Sequence, residues 1–228
     1  NGKIRIFNRR LTMKNILILC ILGMMFTTYG NTKNYKKGQK SFDKKKYAEA
    51  EKYYLIAVNE EGSILAMRGL GYVYRAEKKY DEAEKYFKMA IENGDSISMS
   101  ALGSLYVLEK KYDEAEEYLK MAKEEKIEIA KLRLGELYLL TEEYDLAEEN
   151  LKEYLQTKEY EGFKREAMEK LAELYRIEGK YDLVLKYTNM YQNSLVNEQR
   201  MRAEQEQKLN RALNRAGNGM YNNLKGIF

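Results

Sequence analysis

The 228-residue sequence has no histidine, no proline, no tryptophan and a single cysteine. Each absence removes a class of chemistry. Histidine is the commonest general base and metal ligand near neutral pH, so its absence argues against both roles. Without proline, helices run without their strongest breaker. Cys20 lies in an apolar run near the N-terminus. A chain that loses that run has no thiol for a disulfide, a thiolate ligand or a nucleophile. Neither H-E-x-x-H nor C-x-x-C occurs. No phosphate-cradling glycine loop opens a helix, and the nearest glycines, Gly69 and Gly71, lie inside a helical pattern. No catalytic residue, cofactor or metal is expected.

An excess of one charge is missing too. There are 40 basic and 36 acidic side chains, interspersed, for a net charge of +4. Such interleaving describes a solvated helical surface rather than a nucleic-acid footprint. Near the C-terminus Arg200, Arg202, Lys208, Arg211 and Arg215 cluster, but Glu198, Glu204 and Glu206 offset them. No nucleic-acid partner is expected. The apolar stripe of that stretch is narrow and carries no Trp or Phe, a poor membrane-surface helix. Adjacent carboxylates such as Glu60/Glu61, Glu116/Glu117, Glu142/Glu143 and Glu148/Glu149 point about 100° apart on a helix and do not converge as an acid–base pair. What remains is 44% hydrophobic, enough to fold.

The N-terminus reads as an export signal. Lys14 follows Met13, Ile16 to Phe26 is an eleven-residue apolar run broken only by Gly23, and Thr27 to Gly30 offers a small-residue exit. Eleven residues fall short of the about 20 that cross a bilayer. The expected division is an over-extended N-terminus over 1–12, a signal peptide over 13–30 cleaved after Gly30, and an exported protein, periplasmic or secreted. Membrane contact would then come only through an uncleaved signal. Leu19 before Cys20, seven residues from Met13, does not fit a lipoprotein signal.

One phrase recurs five times: KKYAEAEKYYLIA from Lys45, KKYDEAEKYFKMA from Lys78, KKYDEAEEYLKMA from Lys110, EEYDLAEENLKEY from Glu142 and GKYDLVLKYTNMY from Gly179. The anchors Tyr47, Tyr80, Tyr112, Tyr144 and Tyr181 are 33, 32, 32 and 37 residues apart. Tyr80, Ala83, Phe87 and Ala90 fall on one stripe of a 3.6-residue period. Acidic residues such as Asp81 and Glu82 follow the anchor, where a helix dipole favours negative charge. A second phrase precedes each of the later copies: LGYVY at Leu70, LGSLY at Leu102, LGELY at Leu134 and LAELY at Leu171. Glycine inside a helix costs about 1 kcal/mol relative to alanine, yet Gly71, Gly103 and Gly135 recur at one register, which implies close helix–helix approach. Each unit is then two antiparallel helices that bury their apolar faces by stacking. The 37-residue gap implies an extra turn or longer loop near Thr157–Gly162. The anchoring tyrosines read as packing residues with wet hydroxyls, or alternatively as a ligand surface.

A helical pair with L-G-x-x-Y in its first helix, then alanine and an aromatic in its second, resembles the tetratricopeptide repeat. Leu70, Gly71, Tyr74, Ala83, Phe87 and Ala90 match best. Leu102, Gly103, Tyr106, Ala115, Leu119 and Ala122 follow, then Leu134, Gly135, Tyr138 and Ala147, and last Leu171, Ala172 and Tyr175. Gly38 stands twelve residues before Ala50 in a degenerate first unit. The family's closing proline and early tryptophan are absent. Asn93-Gly94 and Glu61-Gly62 are similar to the related Sel-like repeats. The resemblance implies an all-α, right-handed α-solenoid of about five helix–turn–helix repeats over 31–191. A capping helix over 192–216 and a flexible tail over 217–228 would follow.

The resemblance also implies a concave groove lined by first-helix residues. Carried across by register, these are Tyr35, Phe42, Arg68, Tyr72, Arg75, Ser100, Ser104, Leu132, Glu136, Glu169, Glu173 and Arg176, running from basic and aromatic through apolar to acidic. Such a gradient would orient a bound peptide or helix; ordinary surface is the alternative. The functional expectation is a scaffold holding a protein or peptide partner. The alternative is an envelope component that self-assembles or supports outer-membrane or lipoprotein assembly, so a homo-oligomer stays open.

Overall fold

The structure, a computed structural model, describes residues 33–158 and 161–225, with side chains as far as 214. The expected signal segment and Cys20 lie outside the described residues. Ten helices and no strand are present among them. They are α1 Lys33–Asp43, α2 Tyr47–Glu61, α3 Ile64–Ala76, α4 Tyr80–Glu92, α5 Ile97–Leu108, α6 Tyr112–Glu124, α7 Ile129–Leu140, α8 Tyr144–Leu155, α9 Glu161–Ile177 and α10 Tyr181–Lys225. They run in tandem as five helix–turn–helix pairs. The chain forms two compact units that meet in sequence within α7, between Arg133 and Leu134.

Each anchor tyrosine begins the second helix of its pair, and the turn before it is built one way every time. The residue two positions ahead of the anchor adopts a left-handed backbone: Lys45, Lys78, Lys110 and Glu142 at φ 57° to 63°, and Gly179 at φ 73°. The next amide reaches back to the preceding helix, as in Lys79 N to Tyr74 O at 2.9 Å, Lys111 N to Tyr106 O at 2.9 Å and Lys180 N to Tyr175 O at 2.8 Å. This back-bonding occupies carbonyls that a helix C-terminus leaves open. The KKY phrase is therefore a helix stop and a helix start.

The recurring glycine is a socket. A Cβ on Gly71 would stand 2.4 Å from the Phe87 ring, on Gly103 2.6 Å from Leu119, and on Gly135 2.5 Å from Leu151. In the first pair Gly38 faces Tyr54 at 2.6 Å. The large residue seven positions past each anchor thus fills the space of a missing side chain. Phe87, Leu119 and Leu151 are fully buried. The last pair changes both members, with Ala172 at the socket register and Thr188 at the knob register.

Within each unit, successive pairs are tied by the tyrosine that ends L-G-x-x-Y. Tyr74 donates to Glu51 Oε1 at 2.6 Å, and Tyr175 donates to Glu148 Oε1 at 2.8 Å. The Tyr106 hydroxyl sits between Glu84 and Lys88. Each acceptor stands four residues past the anchor of the preceding pair. Lys79, Lys111 and Lys180 cover the rings of Tyr74, Tyr106 and Tyr175 at 5.6, 5.4 and 5.8 Å. Burial, with Glu84 and Glu148 adding to it, pushes the hydroxyls of Tyr106 and Tyr175 up to about 12. The buried Tyr74, Tyr106 and Tyr175 thus tie pairs through carboxylates, whereas the anchors Tyr47, Tyr80, Tyr112 and Tyr144 are half-buried and Tyr181 is exposed.

Two expected boundaries differ. The extra length behind the 37-residue gap goes mostly into a helix: α9 has 17 residues where α5 and α7 have 12. No break separates a capping helix, because α10 runs 45 residues without interruption. It passes the expected boundaries at 192 and 217 because it lacks proline and any copy of the KKY turn. Its polar sequence also fits the finding that no described helix is long and apolar enough to cross a membrane.

Candidate functional site

The structure sorts the twelve expected groove residues into three groups. Some are not surface at all. Leu132 is fully buried and Ser100 is 4% exposed, its carbonyl accepting the Ser104 hydroxyl at 2.8 Å. Arg68 donates to Asp95 Oδ1 at 2.6 Å, with both side chains largely covered. Asp95 also accepts the Ser98 hydroxyl at 2.5 Å. The pair ties α3 to the loop before α5. Leu132 and Ser100 therefore pack and Arg68 staples, because the register taken for the groove floor points partly between helices.

A second group is half-buried in aromatic contacts. Tyr35 leans on Tyr54 with ring centres 5.8 Å apart, and Phe42 on Tyr47 at 5.7 Å. Tyr72 meets Phe87 edge-on at 5.3 Å, and the Arg75 guanidinium lies over the Tyr72 ring at 5.1 Å. Burial holds Arg75 below its ordinary value; Tyr72 opposes this and Arg133 adds to it. Glu136 acts on Lys170 through its charge.

The third group converges. Glu169, Glu173 and Arg176 on α9 line a cleft of about 480 Å³ with Tyr187, Thr188, Tyr191 and Gln192 on α10. Met168, Ala172 and Tyr187, each less than a tenth exposed, form its floor. Glu169, Glu173, Arg176, Thr188 and Gln192 are exposed around it. The rim is net acidic. Burial alone would lower the Lys170 ammonium, yet its bond to Glu173 at 3.1 Å and the charges of Glu136 and Glu169 leave it raised. The cleft has a cause in sequence. Small Ala172 and Thr188 occupy the registers where other pairs place a glycine and a large knob.

The α10 wall was not among the expected site residues. The signal was present: Thr188 breaks the series Tyr54, Phe87, Leu119, Leu151. Among the described residues, no group of three or more Asp, Glu, His or Cys is placed to hold a metal.

Tetratricopeptide repeat family models match residues 35–96 and 98–127. Comparison with curated proteins found no match. Solved structures share the fold at low identity. The Pseudomonas aeruginosa pilF structure superposes with a TM-score of 0.64 at 16% identity, covering 71% of this chain and 74% of that one. MamA gives 0.57 at 20% identity, covering 71% and 95%. The APC/C hetero-tetramer Cut9–Hcn1 gives 0.62 at 18% identity, covering 69% of this chain and only 32% of the longer one. Two adjacent matches, on a fold of tandem helix pairs whose glycine sockets and tyrosine ties repeat in register, identify residues 35–96 and 98–127 as tetratricopeptide repeats.

Proposed function

We propose that the chain is an exported scaffold that holds a partner protein by seating one of its segments in the α9–α10 cleft. Tetratricopeptide arrays are interaction scaffolds, and the observation that carries the specific reading is the cleft itself. Its volume of about 480 Å³ falls within the about 300–1,000 Å³ of ordinary binding cavities. The apolar floor of Met168, Ala172 and Tyr187 accepts one apolar side chain. Glu169 and Glu173, a helical turn apart on the rim, favour a Lys or Arg beside it. The fitting partner segment is therefore a peptide or helix with an apolar anchor flanked by positive charge. Export rests on the signal-like order of residues 13–30.

An immobilised peptide library probed with the full chain tests the cleft. Bound peptides should share the apolar-plus-basic pattern and be lost with Glu169→Lys/Glu173→Lys, while reversal of the exposed Lys52 on α2 changes nothing. Equal losses from both variants, or acidic consensus peptides lost with the cleft variant, would remove the cleft from the account. Self-assembly has one observation in its favour. Leu185, Val196, Leu209 and Leu213 along α10 are 59–61% exposed. A solution mass of one chain across the micromolar range would end that second reading.

A further inference from the structure

Arg68 and Arg75 stand seven residues apart on α3, two turns along one helix, yet their surroundings differ. Arg68 is held by Asp95 at 2.6 Å. Arg75 lies against the Tyr72 ring at 5.1 Å, and the other charged group that acts on it is Arg133 of α7, a second cation. Among the described residues no carboxylate pairs with Arg75. The two arginines belong to first helices of different pairs, fifty-eight residues apart in sequence, and both lie in the first compact unit. Burying a cation is costly without a compensating anion. Tyr72, which orients the guanidinium, is itself fixed edge-on against the fully buried Phe87. The guanidinium is thus placed and partly desolvated before any ligand arrives, which limits what its ordering costs on binding.

We infer that Arg75, on its Tyr72 platform, binds a side-chain carboxylate from an acidic segment of a partner protein. Guanidinium matches carboxylate in a two-bond geometry, and partial burial strengthens the pair relative to open water. One carboxylate brings the single negative charge that Arg75 lacks. The site is separate from the α9–α10 cleft, whose acidic rim would repel the same segment.

The test uses the full chain and a rhodamine-labelled Glu-rich peptide, acetylated and amidated so that only side-chain carboxylates remain. Wild-type protein should bind it, Arg75→Met should weaken binding at least tenfold, and Arg75→Lys should fall between. Glu169→Lys/Glu173→Lys should retain binding, which separates failure of this site from failure of the cleft. Inorganic phosphate at matched ionic strength should compete no better than chloride. Arg75→Met should also melt no lower than wild type, because it removes a half-buried cation that lacks a carboxylate. No binding by wild type, undiminished binding by Arg75→Met, or effective competition by phosphate would each overturn the assignment. So would an Arg75→Met protein that melts lower or fails to fold, since that outcome assigns Arg75 a structural task.

Discussion

Gly71→Ala should destabilise this protein, although alanine is the better helix former. The helix-propensity gain is about 1 kcal/mol. Against it stands the added Cβ, 2.4, 2.5 and 2.9 Å from three atoms of the Phe87 ring. Carbon atoms sit comfortably at about 3.5–4.0 Å, so the overlap with the nearest atom exceeds about 1 Å. Phe87 is fully buried and its ring abuts Tyr72, so it cannot swing into solvent. Overpacking of this kind costs about 1–3 kcal/mol. The net loss is then about 1 kcal/mol, or roughly 0.5 M in urea midpoint for an m-value near 2 kcal/mol/M. Ala172→Gly should also destabilise by about 1 kcal/mol, for the opposite reason: it surrenders helix propensity at a register opposite the smaller Thr188. Gly71→Ala/Phe87→Thr, which copies the last pair, should lose at least about 0.5 kcal/mol less than the two single losses combined. Circular dichroism during urea titration reads all four. A Gly71→Ala midpoint above wild type would show that the glycine is not a socket for Phe87.

The left-handed turn lysines are exposed, so Lys78→Gly and Lys110→Gly should each stabilise by about 0.5–1 kcal/mol in thermal or urea melts; Gly179→Ala should lose a similar amount, and a loss from either lysine variant would deny the turn its role. Glu148 is held below the ordinary carboxyl range by its hydrogen bond from Lys152, against burial and with help from Tyr175; in Glu84 burial pushes up but the bonds from Lys88 and Tyr106 outweigh it. A depressed carboxyl contributes stability above its unfolded value of about 4.3 and loses it as pH falls through the folded value. Glu84→Gln/Glu148→Gln should therefore be less stable than wild type at pH 6, with the gap closing below about pH 4. Tyr106 and Tyr175, raised to about 12, contribute stability that is fully present below about pH 10 and is lost as pH rises through 12. Ultraviolet titration of the folded protein should show Tyr106→Phe and Tyr175→Phe removing late-ionising hydroxyls, not early ones.

The sequence made the helix pairs legible because one register carries several independent constraints. KKY marks a turn, the third residue after the anchor is a buried alanine, and a glycine meets a large residue across the pair. A pattern set by close packing repeats wherever the packing repeats, so Leu70, Phe87 and Leu119 could be placed from spacing alone. The groove was less legible because exposure depends on how far each first helix is rolled between its neighbours. Arg68 and Leu132 share the register of exposed Glu169, yet one is stapled to Asp95 and the other is buried. The cleft was hidden for a different reason. It arises where the repeat's rule lapses, at Ala172 and Thr188, and a search for agreement among copies discards that lapse as drift. The unbroken α10 was missed because the end of a repeated phrase is not the end of a helix; only a turn or a breaker ends one.

Site-specific photocrosslinking in the native cell decides whether the α9–α10 cleft holds the partner. A photoreactive amino acid would replace Thr188 or Gln192 at the cleft, or Lys78 on an exposed turn. One partner protein should crosslink at 188 and 192, the same partner should be lost with Glu169→Lys/Glu173→Lys, and Lys78 should not capture it. Equal capture at Lys78, or a cleft silent to every protein while the chain is folded and exported, would contradict the cleft assignment.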